Sequence, residues 1–297
     1  MTRPEEVSVI VSTRDRPGLA AAAVASILAG ASAPLEIVVV DQSRERTHEI
    51  ESLGDGTGVA VRHLHSATCG VSRARNLGAK ASRGQVVAFV DDDILAEPGW
   101  LDGVVAALGN ARDRRVVSGR VLGGEPEVAD GFVAATSGPD FAFAVFRGRL
   151  PIDVLAGGNM AVSRDLFTLL GGFDERLGPG TPFPSSEDND LGLRLLDAGA
   201  EIVHAPDATV VHRALRPGRD YPSVRWRYGL GKGGFYAKHA WNGGPYGLRR
   251  AARDVGKRLV RAPRVVWRTP RYAAGELTYG AGIALGMVRW VVRERTR

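Results

Sequence analysis

The sequence predicts an α/β fold, with a mostly parallel, Rossmann-like central sheet flanked by helices and a basic helical extension toward the C-terminus. Three observations carry this. Apolar, β-branched runs alternate with helical stretches through the first third of the 297 residues, the pattern of βαβ units whose strands are covered on both faces. Two of those runs end in acidic residues, at Asp41 and at Asp91-Asp92-Asp93, where ligands bind in such sheets. The charge also changes sign along the chain. Residues 1–212 hold 19 basic and 29 acidic residues, and residues 213–297 hold 20 and 4, a break that the formal net charge of +6 conceals.

The elements follow in order. Val7–Val11 is the first strand, and Pro17–Ala29 is an alanine-rich helix with Pro17 in its first turn. Leu35–Val40 is a second strand ending at Asp41, Arg44–Leu53 a polar helix, and Val59–His65 a third strand. Val71–Ala81 is a helix, and Gln85–Val90 a strand that runs into the acidic cluster. Val116–Leu122 reads as a strand. Gly123–Pro151, rich in glycine, proline and isolated aromatics, reads as an active-site loop region. Gly157-Gly158-Asn159 precedes an apolar run and a helix from about Arg164. Leu177–Ser186 has too many prolines and glycines for regular structure, and it leads into Glu187-Asp188-Asn189-Asp190, which opens an amphipathic helix through Ala198. Glu201–His204 and Thr209–His212 are short strands. Arg213–Gly247 is basic, aromatic and glycine-rich, Leu248–Arg271 a basic helix, and Tyr272–Val292 mostly apolar. This divides the chain into a domain over 1–215 and an extension over 216–297.

Composition excludes several classes. At 44% hydrophobic and 24% charged residues the chain is globular. One cysteine, Cys69, excludes a disulfide scaffold and a zinc site built on several thiolates. The N-terminus lacks the apolar stretch of a signal peptide, so a cytoplasmic location is expected.

A strand ending in Asp-x-Asp puts two carboxylates on one side of the chain, and hard divalent cations take oxygen ligands of this kind together with substrate phosphates. Taken alone, such a motif is as readily a solvated strand end or turn as a site for Mg²⁺ or Mn²⁺. Carboxylates opening a helix, as at Glu187 and Asp188, can serve a general base or simply complement the helix dipole.

The pieces together resemble glycosyltransferase family 2, the large inverting group with the GT-A fold. They are Val7–Thr13, Glu36–Ser43, Gly70–Gly78, Phe89–Asp93, Gly157–Met160, Gly171–Asp174 and Glu187–Leu191, in the family's order, and the resemblance covers about residues 5–215. It implies that Asp41 binds the nucleobase with Ser12 and Arg14 lining its pocket, and that Arg75 lies near the donor nucleotide. It implies that Asp91, with Asp92, contacts the ribose or sugar, that Asp93 ligates the metal, and that His212 is a further metal-side ligand. Asp188, beside Glu187, becomes the general base, and Gly158 and Asn159 form the acceptor side. Gln42 stands where the family often has a second aspartate. Arg225-Trp226 resembles the Arg-Trp of a Gln-x-x-Arg-Trp motif in processive members, which puts Trp226 on the acceptor side. Pro222 occupies the glutamine position, so processive polymerisation is not supported.

The implied reaction is metal-dependent inverting transfer from a nucleotide sugar, most often a UDP-sugar, to a hydroxyl of a glycan, lipid-linked or small-molecule acceptor. A sugar-phosphate nucleotidyltransferase is the alternative enzyme, although Ser12–Pro17 lacks its glycine-rich loop. A non-catalytic module that holds membrane or nucleic acid through the tail is the alternative outside enzymes. Gly229-Leu230-Gly231-Lys232-Gly233-Gly234 matches a dinucleotide fingerprint but follows no buried strand, so that reading fails on context. In the tail, Glu276 and Arg289 argue against a spanning helix. A basic helix beside an apolar one fits an anionic membrane surface instead, with Trp267, Tyr272 and Trp290 at the interface. Nucleic acid is a weaker reading, because no recognition motif accompanies the charge.

Overall fold

The computed structural model describes residues 1–45, 50–133, 135–138, 140–267 and 269–296. Two compact units divide the chain. One comprises Met1–Glu125, Ala135–Phe173 and Leu191–Arg213, the other Pro126–Ala134, Asp174–Asp190 and Ala214–Arg297.

The first unit is built on one sheet. Its strands are β1 (Val7–Thr13), β2 (Glu36–Asp41), β3 (Ala60–His65), β4 (Val86–Asp91), β5 (Ile94–Ala96), β6 (Arg115–Pro126), β7 (Ala144–Phe146), β8 (Asn159–Ser163) and β9 (Glu201–Ala214). The order is β3-β2-β1-β4-β8-β6-β9-β5, with β7 also on β9. The β3-β2-β1-β4 half is parallel, as the apolar runs predict, while β8 joins β4, and β5 and β7 join β9, antiparallel. The helices α1 (Pro17–Leu28), α2 (Val71–Ala81), α3 (Trp100–Leu108) and α4 (Arg164–Leu169) accompany them. β1 and β2 are buried along their whole length, because a parallel strand covered on both faces has no solvent side. Val9, Val11, Val39, Val90 and Trp100 fill one core layer, and Ile10, Phe89, Met160, Phe167 and Phe173 the other.

Three expectations change here. The two short strands over 201–212 are one strand, β9. The loop region after Gly123 contains the end of β6 and all of β7. Part of the helix expected over Arg44–Leu53 lies outside the described residues, and Glu51–Gly54 forms a single 3₁₀ turn.

α5 (Glu187–Asp197) has its first turn in the second unit and the rest in the first. The second unit is otherwise helical: α6 (Tyr221–Gly243), α7 (Tyr246–Val265) and α8 (Pro270–Arg295). The glycines of the rejected fingerprint lie inside α6. A Cβ at Gly229 would overlap the Tyr279 carbonyl, one at Gly233 the Ile283 carbonyl, and one at Gly286 the Leu230 carbonyl. The glycines therefore let α6 and α8 pack backbone against backbone. Glu276, which interrupts the apolar run, is held by Arg258 at 2.9 Å and Arg225 at 3.7 Å, and both guanidiniums sit over the Tyr279 ring. Trp290 is buried against Phe183 beneath Arg176, which removes it from the interfacial position expected of it. Among the described residues, no helix is long and apolar enough to cross a membrane.

Candidate functional site

In the first unit the expected donor residues gather at the carboxyl ends of β1, β2 and β4. β1 ends at Ser12 and Thr13, and Arg14 follows, half exposed and 3.4 Å from Asp15. Asp41 ends β2. Its carboxylate accepts from the Ser43 amide at 2.8 Å and from His63 Nε2 at 3.2 Å. Burial works against its charge, but these hydrogen bonds outweigh burial and hold the carboxyl below its ordinary range. Gln42, the departure from the family pattern, receives a bond from the Gly70 amide at 3.0 Å and donates to the Gly70 carbonyl at 3.2 Å. It ties the turn that starts α2, a role that a second carboxylate could not fill because it has no N–H to donate.

The acidic cluster splits into three environments. Asp91 pairs with Arg75 at 2.5 Å, and Arg75 is itself buried over the Phe173 ring. Burial opposes the charge of Asp91, but Arg75 outweighs it and keeps the carboxyl low. Arg75, expected near the donor nucleotide, thus holds Asp91 directly. Gly158 faces the other Asp91 oxygen, and a Cβ there would come within 2.5 Å of Oδ2, so glycine is needed for Asp91 to hold this pose. Asp92 is turned into the fold rather than toward a sugar. It is 1% exposed and accepts from Thr13 Oγ1 at 2.7 Å. Burial pushes it up to about 7 against the pull of Arg16 and Thr13, and the charges of Asp93 and Asp91 add to the rise. Arg16, which sequence reasoning left unassigned, lies 2.6 Å from Asp92 and 3.2 Å from Asp93.

Asp93 and His212 lie 119 positions apart in the chain, yet the sheet register joins them. β5 turns back immediately after the acidic cluster and sets Ile94 opposite His212. The Arg213 amide donates to the Asp93 carbonyl at 2.9 Å. His212 Nε2 then stands 3.7 Å from Asp93 Oδ1. His212 Nδ1–H donates to the Arg213 carbonyl at 3.2 Å, which in the neutral imidazole puts the lone pair on Nε2. Metal–ligand bonds to oxygen or imidazole are about 2.0–2.2 Å, so two groups up to about 4 Å apart can reach one ion. The pair passes that test. Among the described residues no third His, Cys, Asp or Glu joins it. Two protein ligands plus substrate phosphates and water suit Mg²⁺ or Mn²⁺.

Asn159 takes no acceptor-side pose. Its amide donates to the Arg120 and Ala208 carbonyls at 2.9 and 3.0 Å and accepts from Trp100 Nε1 at 2.9 Å. It is an interior pin that joins β8, β6, β9 and α3.

In the second unit, the Glu187–Asp190 turn is held by α6 side chains that sequence reasoning missed. Lys232 donates to Asn189 at 2.5 Å, while Lys238 and His239 reach the fully buried Asp190 at 2.6 and 2.8 Å. Lys238 also meets Asp174 at 2.7 Å, and Arg176 joins Asp174 to Glu294. Asp188 is half-buried, and its Oδ1 accepts the Asn189 amide at 2.8 Å. Trp226 is half-buried on α6. The only signal for the α6 cations was the basic composition after His212. Burial opposes the charge of Asp174, but Arg176 and Lys238 hold its carboxyl well below the usual range. A lowered folded pKa stabilises fully above the unfolded value of about 3.9 and is lost as pH falls through the folded one. Unfolding followed against pH should therefore show stability that is flat at neutrality and declines below about pH 4, and the Asp174→Asn variant should decline less steeply.

Comparison with known proteins identifies the family. A family model described as Glycosyl transferase family 2 matches residues 8–170. The chain is 30% identical over 226 residues to a glucosyl-dolichyl phosphate glucuronosyltransferase of Haloferax volcanii, covering 70% of this chain and 69% of that one. It is 30% identical over 203 residues to a pre-mycofactocin glycosyltransferase of Mycobacterium tuberculosis, covering 66% of this chain but 41% of the relative. A mannosyltransferase from Pyrobaculum calidifontis, solved with GDP-Man and Mn²⁺, superposes with a TM-score of 0.64 at 17% identity, over 97% of this chain and 88% of that one. The chain belongs to glycosyltransferase family 2 and is a nucleotide-sugar-dependent glycosyltransferase with the GT-A fold. That sets aside the nucleotidyltransferase and the non-catalytic module.

Proposed function

We propose that the chain catalyses metal-dependent, inverting transfer from a UDP-sugar to a hydroxyl of a lipid-linked or other glycan acceptor. The observation that carries this reading is the Asp93–His212 pair, with Nε2 left as the free donor by the Nδ1–Arg213 hydrogen bond. A divalent ion held there supplies charge neutralisation for the departing diphosphate. Asp41 and Ser12 offer polar atoms to the base at the ends of β2 and β1, and Arg75 fixes Asp91 toward the sugar. Asp188 takes the acceptor proton, since a hydroxyl is a poor nucleophile without a carboxylate in reach. The lipid-linked acceptor is favoured by the name of the Haloferax relative, a glucosyl-dolichyl phosphate glucuronosyltransferase.

Calorimetry with UDP and Mn²⁺ tests the carrying observation. Asp93→Ala and His212→Ala should each weaken Mn²⁺-dependent UDP binding by at least about 100-fold, the upper end of what loss of an outer partner of a metal ligand costs. Binding equal to the parent in both variants would remove the metal from these residues.

A further inference from the structure

The last helices sort the tail's charge. The buried positions of α7, Gly247, Arg250, Ala251 and Ala262, recur on one side. Its one acid, Asp254, accepts the Tyr236 hydroxyl at 2.6 Å, and Arg258 is spent on Glu276. What remains faces outward in two strips. Leu248, Ala252 and Leu259 follow helical spacing along one, and Arg249, Arg253, Lys257 and Arg264 along the next. Leu248, Leu259 and Val260 are 54, 59 and 53% exposed, and Trp267 just beyond the helix is 93% exposed. α8 adds a second outward apolar row, Leu277, Val288 and Val292.

We propose that the outer face of α7, with Trp267, lies on an anionic lipid surface. Cations running parallel to aliphatic side chains, with no exposed acid between them, match phosphate headgroups above acyl chains. A nucleic acid would use the cations but gain nothing from half-exposed leucines and valine. No described helix can span a bilayer, so the contact is peripheral. This reading stands apart from the choice of donor and acceptor, because none of its residues belongs to the proposed metal or base sites.

The test is cosedimentation of the full chain with phosphatidylcholine vesicles, with and without about one-third phosphatidylglycerol. Binding should require the anionic lipid and weaken with salt. The joint variant R249Q/R253Q/K257Q/R264Q should lose at least about 100-fold in affinity. A second variant, Leu248→Ser with Leu259→Ser and Trp267→Ser, should lose about tenfold or more while binding an RNA oligonucleotide no less than the parent. These side chains are exposed, so both variants should keep the parent's circular dichroism. Equal binding to both vesicle types, no binding to either, or an unchanged affinity in either variant would overturn the proposal. Loss confined to the charge variant, with matching RNA binding, would mark a nucleic-acid patch instead.

Discussion

Asp188→Asn should lower the rate of glycosyl transfer by about 10²–10⁴-fold while leaving donor binding within a few-fold of the parent. The amide keeps the shape of the side chain and its bond from the Asn189 amide, but it cannot take a proton. The alternative is that Asp188 only complements the dipole of α5. That role is worth about 0.3–1 kcal/mol of stability and would leave turnover almost unchanged. Single-turnover assays with saturating donor distinguish the two, since they isolate the chemical step from release.

Lys238→Met should destabilise the protein by about 3 kcal/mol, seen as a lower urea midpoint. Lys238 reaches two carboxylates, Asp190 at 2.6 Å and Asp174 at 2.7 Å, and Asp190 is fully buried. Removing one partner of a buried pair leaves charge without compensation, which costs about 3–5 kcal/mol. Arg176 remains on Asp174 and His239 on Asp190, which puts the expected loss at the lower end. Adding Asp190→Asn to Lys238→Met should restore part of the loss, because the double variant no longer buries a carboxylate that has lost one of its partners.

The first half of the fold was legible because its signals are local. Val7–Val11 and Leu35–Val40 are continuous apolar runs, and Asp41 and Asp93 stand where such strands end. The pairing of Asp93 with His212 was legible only through the family resemblance, since it depends on β5 turning back against β9. Which way a side chain turns was not legible. Asp92 and Asn159 sit between site residues in sequence but point into the fold, where Thr13 and Arg16 hold Asp92 and Trp100 and two carbonyls satisfy Asn159. α6 was hidden for another reason. Gly229 and Gly233 weaken a helix on propensity alone, and their use appears only when Gly282 and Gly286, some fifty residues later, come against them. Lys232, Lys238 and His239 are the same case: the groups they hold lie in the 174–190 segment, and no spacing rule links the two stretches.

The reaction itself is tested most directly by proton and phosphorus NMR of slow donor hydrolysis, with water in place of the acceptor and diamagnetic Mg²⁺ present. UDP should be released from an α-linked UDP-sugar, the first sugar to appear should be the β-anomer, and both signals should be lost in Asp188→Asn. First appearance of the α-anomer, or release of pyrophosphate in place of UDP, would contradict inverting transfer.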